Sequence, residues 1–133
     1  MEDISRFVGI PHQFNGDTFE SCDCIGLCRL FYREHGWKQD FTDGSPVEPD
    51  WQKKDPFRLA RYLNSHFTKT KNVDDLKFGD VVLFNIYDDF HLGLYLAYGK
   101  MLGMQVPVKY GVTMSTVYRR DWWMPFFVRG YLR

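Results

Sequence analysis

The feature of this chain that most restricts its fold is a change of hydrophobic period near residue 80. Before it, apolar residues recur at helical spacing in two stretches. After it come five short β-rich runs separated by turn residues: "VVLFNI" (81–86), "HLGLYLAY" (91–98), "KMLGMQV" (100–106), "GVTMSTVYR" (111–119) and "FFVRGYLR" (126–133). Helices first and strands second exclude the alternation that builds a parallel sheet. They predict an α+β fold in which N-terminal helices pack on an antiparallel β-meander. With 133 residues and no repeat or low-complexity tract, the chain reads as one domain, 1–133, able to bury a core without disulfides or metal.

Cys24, Leu27, Cys28, Leu30 and Phe31 fall on one helical face, and Gly36 supplies a stop. The loop "GIPHQFNGDTF" (9–19) delivers the chain to Asp23 at the start of that helix. Residues 38–54 carry Gly, Pro and Asp without periodicity and read as a surface loop. Asp55 before Pro56 reads as an N-cap, opening a second helix over about 56–67 through Phe57, Ala60, Leu63, Asn64 and Phe67.

Seventeen Lys and Arg balance seventeen Asp and Glu, with no long run of one sign, so the sequence offers no nucleic-acid surface. No apolar stretch approaches the roughly 20 residues of a membrane span, which argues against membrane insertion. The start "MEDISRFVGI" lacks the basic-then-apolar order of a signal peptide, so the expectation is synthesis in a cytoplasm without an export signal.

Three cysteines, all between residues 22 and 28, cannot form a paired disulfide framework and are thiols, ligands or packing. Cys24 lies in the first turn of its helix, where unpaired N–H groups and the helix dipole favour a thiolate. A nucleophilic thiol needs a base. Of the four histidines, His91 opens a strand after the acidic "YDDF", whereas His35 and His66 sit late in helices and read as structural. A metal held by Cys22, Cys24, Cys28 and a histidine is a weaker reading, because C-x-C-x3-C is not a usual structural zinc spacing. No metal and no cofactor are expected.

Two blocks carry a resemblance. "FNGDTFESCDCIGLCRLFYREHGW" (14–37) resembles the Asp-Cys-small-Gly-Leu helix of the NlpC-type cysteine peptidases. "LKFGDVVLFNI" (76–86) with "FHLGLYLAYGKML" (90–102) resembles their Leu-x-x-Gly-Asp strand and His-apolar-Gly-apolar-Tyr strand. The "GIP" entry, "CDC" step and "RLFYRE" place the resemblance nearest the small phage-tail-associated members.

The resemblance implies a papain-like core, Cys24 as nucleophile and His91 as base, with His12 and Asp23 in the substrate and oxyanion region. His12 stands where many relatives have tyrosine. Gly26 and Gly93 would be small so that helix and strand approach closely. The family's third, orienting position falls on Gly103, twelve residues after His91, and glycine cannot orient an imidazole. Gln105 or Asn85 is then the candidate substitute.

The implied activity is a thiol hydrolase acting on peptidoglycan stem peptides, at the D-γ-glutamyl to diamino-acid link, incorporated in a phage tail beside other tail proteins. The alternative is a tail-tip or tail-assembly protein that keeps the fold with little or no catalysis.

Overall fold

The computed structural model describes residues 2–86, 88–104 and 113–133. After a 3-10 turn at Ser5–Phe7, helix α1 spans Cys24–Glu34. Asp23 caps it through a hydrogen bond accepted from the Gly26 N–H, and Gly36, at φ +72°, follows its end in the left-handed region. Its buried face is Leu27, Cys28, Leu30, Phe31 and Tyr32. Each large apolar side chain there contributes on the order of 1.5–3 kcal/mol.

Two short helices follow, α2 at Trp51–Lys54 and α3 at Arg58–His66. The first corrects the reading of 38–54 as loop throughout. The second begins two residues later than the proline suggested. Asp55 does not cap α3, because its carboxylate pairs with Arg61 and Phe57 stands at the N-cap.

The strands are β1 (Thr68–Thr70), β2 (Val81–Ile86), β3 (Asp89–Tyr95), β4 (Met101–Met104), β5 (Ser115–Tyr118) and β6 (Phe127–Leu132). They form one six-stranded antiparallel sheet in the order β1-β6-β2-β3-β4-β5. From β2 to β5 this is the expected meander. β6 departs from it by returning across the sheet to lie beside β2, and three-residue β1 was not anticipated.

Both faces of the sheet are covered. Val81, Leu83, Leu92, Leu94, Leu102 and Met104 join the α1 side chains in one core cluster. Val82, Phe84, Ile86, Met101 and Tyr118 face the other way and pack with Trp123. Trp123 ends α4 (Arg120–Trp123), and its indole N–H donates to the Gly99 carbonyl at 2.8 Å. That alternation fixes which strand residues look toward α1.

The N-terminal loop is laid along β5. Gly9 N–H donates to the Ser115 carbonyl and His12 N–H to the Thr113 carbonyl, both at 2.9 Å. Among the described residues no helix is long and apolar enough to cross a membrane.

Candidate active site

At the N-terminus of α1 the Asp23 carboxylate ties two segments together. One oxygen accepts from Gly26 N–H at 2.7 Å and the other from Asn15 N–H at 2.8 Å. Asp23 therefore caps the helix and pins the preceding loop to it. Gly26 is required by the same contact: a Cβ there would lie 1.7 Å from the Gly16 carbonyl oxygen. The expected reason, close approach of helix to strand, is replaced by close approach of loop to helix.

Cys24 is half-buried in the first turn, and the main-chain N–H of Leu92 on β3 lies near enough to its sulfur to oppose part of the upward push of burial. The sulfur thus lies against the residue next to His91. Cys24, His91, His12 and Asp23 line one cleft of about 240 Å³, so the structure brings together four of the positions singled out in the sequence. The fifth, Gln105, lies outside the described residues.

His91 pairs with Phe84 across β2–β3, and its ring stacks on the Phe84 ring with centroids 5.5 Å apart. Among the described residues no hydrogen bond joins the imidazole to the Cys24 sulfur. Asn85 pairs with Phe90 and so faces the opposite side of the sheet from His91. Gly103 stands opposite Gly93, on the His91 face but diagonal to it. Met101 fills the space these glycines leave: a Cβ on Gly93 would lie 2.3 Å from its sulfur, and one on Gly103 3.5 Å from its methyl. Gly93 is thus small to admit a methionine, not to admit α1.

Burial, and next the charge of Asp23, push the Cys24 thiol up to about 12. Burial holds the His91 imidazole below its ordinary value, and Asp89 pulls the other way. Cys22 is likewise pushed up to about 12, by burial first and then by Asp23, and burial drives Cys28 well above the usual thiol value. All three are free thiols, with Cys22 and Cys28 fully enclosed. No group of three potential ligands able to hold a metal occurs among the described residues. His35 and His66 each have a ring nitrogen bonded to a carbonyl one helical turn back, Phe31 and Tyr62 respectively.

These shifts predict how stability varies with pH. A thiol raised in the folded state contributes fully below its unfolded value, about 8.5, and its contribution is lost as pH climbs towards 12. A histidine lowered in the folded state contributes above about 6.5 and loses that contribution as pH falls. Urea midpoints should plateau between these limits and fall beyond both. A midpoint unchanged from pH 8 to 11 would contradict the buried-thiol assignment.

Sequence reasoning missed the part of the cleft formed by Pro49, Asp50, Trp51, Gln52 and Lys53 around α2. Four helical residues between turn signals leave no periodicity to detect. Asp89, which also lines the cleft, was visible only as part of the acidic stretch before His91.

The family model described as "NlpC/P60 family" matches residues 9–130. The chain belongs to the NlpC/P60 family. Comparison with curated protein sequences gives no match. Among solved structures, the NlpC/p60 domain of the peptidoglycan hydrolase SagA aligns with a TM-score of 0.62 at 20% identity, covering 96% of this chain and 90% of that one. NlpC1 and NlpC2 from Trichomonas vaginalis align with TM-scores of 0.62 and 0.64 at 15% and 13% identity. Each alignment covers 97% of this chain but only 40% and 44% of theirs. The α+β fold of this NlpC/P60 domain is the papain-like one expected from its sequence blocks.

Proposed function

We propose that this NlpC/P60 domain is a cysteine peptidase that cleaves an amide bond in peptidoglycan stem peptides, with Cys24 as nucleophile and His91 as base. The observation that carries the reading is the shared cleft: the Cys24 sulfur lies at a helix N-terminus, against the main chain of Leu92, in a hollow that His91 also lines. The peptidoglycan hydrolase SagA, with the same fold, supports the substrate class.

At rest both groups are neutral, since the thiol is raised and the imidazole lowered. In the proposed reaction His91 takes the Cys24 proton as the sulfur adds to the amide carbonyl carbon, and the α1 N-terminus stabilises the negative oxygen that develops. The imidazolium then gives that proton to the departing amine, leaving a thioester. Water, deprotonated by His91, attacks the thioester and releases a carboxylic acid and the thiol. For this the imidazole leaves its stack on Phe84 and turns to the sulfur. His12 lines the oxyanion side, and Asp23 holds the helix start.

Gln105 is proposed as the side chain that orients His91. Its replacement by alanine should lower turnover by about 10² to 10⁴-fold, as loss of an orienting residue does in other triads. Unchanged turnover in Gln105→Ala removes it from the site.

The bond proposed is the D-γ-glutamyl to diamino-acid link. Incubation with muropeptides and mass analysis of the fragments tests it: products cut elsewhere replace this assignment, and no products from any wall preparation remove the enzyme. A phage-tail setting, with synthesis in the host cytoplasm, is proposed from "GIP", "CDC" and "RLFYRE". The second reading, a tail component with little catalysis, is favoured by glycine at 103 and by the missing sulfur–imidazole hydrogen bond among the described residues.

A further inference from the structure

Part of the cleft that Cys24 lines is a helix too short to be stable alone. α2 has four residues, no side-chain hydrogen bond at its N-cap and exposed lysines at its end. Lys54 reaches Glu48 and Asp50, which are exposed, so these pairs contribute little to holding it. Two neighbouring side chains fix it to the body. Trp51 packs on the main core cluster. Gln52, half-buried, turns its amide onto the main chain of one β3 residue: Nε2 donates to the Phe90 carbonyl at 3.0 Å, and Oε1 accepts from the Phe90 N–H at 2.8 Å.

An amide that both gives to and takes from one residue does what a neighbouring strand would do. The location makes this consequential. Phe90 precedes His91, one step from the end of the β2–β3 ladder at Ile86↔Asp89. Strand ends fray. The clamp acts at the residue whose neighbour carries the imidazole.

We infer that Gln52 is a positioning residue: its two hydrogen bonds to Phe90 hold the start of β3, and with it His91, in register with Cys24 while fixing α2 beside the cleft. The inference rests on the catalytic reading given above. It adds that the base is held from α2 as well as from the sheet. A displacement of about 1 Å at a reacting group reduces rate by up to about 10²-fold, which sets the size of the effect.

The test is Gln52→Met in the full chain, which keeps the length of the side chain and removes both hydrogen bonds. Three quantities are read: the thermal midpoint, the NMR titration of the His91 ring, and kcat and KM on muropeptides. The expected result is a folded protein whose His91 titrates closer to the ordinary histidine value. Its kcat should fall by about 10 to 100-fold with KM within about twofold. A residue that merely braced α2 would move the thermal midpoint or KM and leave the His91 titration where it is. A His91 titration identical to the parent's overturns the inference, as does an unchanged kcat with an active parent. If the parent cleaves nothing, the catalytic reading falls, whereas the His91 titration in Gln52→Met still decides whether the clamp holds the ring.

Discussion

Replacing Cys24 with alanine should reduce hydrolysis of muropeptides to background, a fall on the order of 10⁶, while the protein keeps its fold. Loss of the nucleophile alone in other hydrolases costs about that much. The substitution removes one sulfur from a half-buried position at a helix start, leaving the Asp23 cap and its bonds to Gly26 and Asn15 in place. Stability should therefore change by less than about 1 kcal/mol. Cys22→Ala and Cys28→Ala serve as the comparison, since both thiols are enclosed in the core and neither lines the cleft. They should lose some stability and retain turnover. Parent-like hydrolysis by Cys24→Ala would remove the nucleophile.

The largest effect on stability is expected from Gly26→Ala. Its new methyl group would lie 1.7 Å from the Gly16 carbonyl oxygen, and that oxygen belongs to backbone with no rotamer to change. The loop must lift from the helix, straining the Asp23 N–H bond to the same carbonyl at 3.2 Å and the Asn15 bond to the Asp23 carboxylate. Overpacking of this kind costs roughly 3 kcal/mol, and about 10 °C in thermal midpoint follows for a chain of this size. Gly103→Ala is the control, because its methyl would meet Tyr118 at 3.4 Å and Met101 at 3.5 Å, close to ordinary contact. Equal midpoints for the two variants would mean that the loop accommodates the methyl freely.

Helix α1 and the strands from β2 to β4 were legible because their patterns are local: a buried stripe from Leu27 to Tyr32, and alternating or continuous apolar runs from Val81 to Met104. The positions of Cys24 and His91 in one cleft were legible only through the two sequence blocks taken together, since neither spacing nor composition reports how helix and strand pack. The return of β6 beside β2 was not legible, as a short run ending in "GYLR" carries no address for its partner. Nor was the meaning of the glycines. Gly26 answers to the Gly16 carbonyl and Gly93 to Met101, both non-local contacts. Asp55 before Pro56 gave the right kind of element with the wrong cap, because Arg61 competes for the carboxylate.

The enclosure of the thiols also divides the molecule's chemistry with oxidants between two populations. In the unfolded chain Cys22, Cys24 and Cys28 titrate near 8.5, lie within seven positions and are free to meet one another or a foreign disulfide. Folding seals Cys22 and Cys28 and drives all three thiols upward, which removes the thiolate that exchange and peroxide attack require. Folded, Cys22 and Cys28 are therefore poor redox substrates, whereas the nascent chain offers them freely. What protects Cys22 and Cys28 in storage is the integrity of the fold, and a reducing environment matters most before they are enclosed.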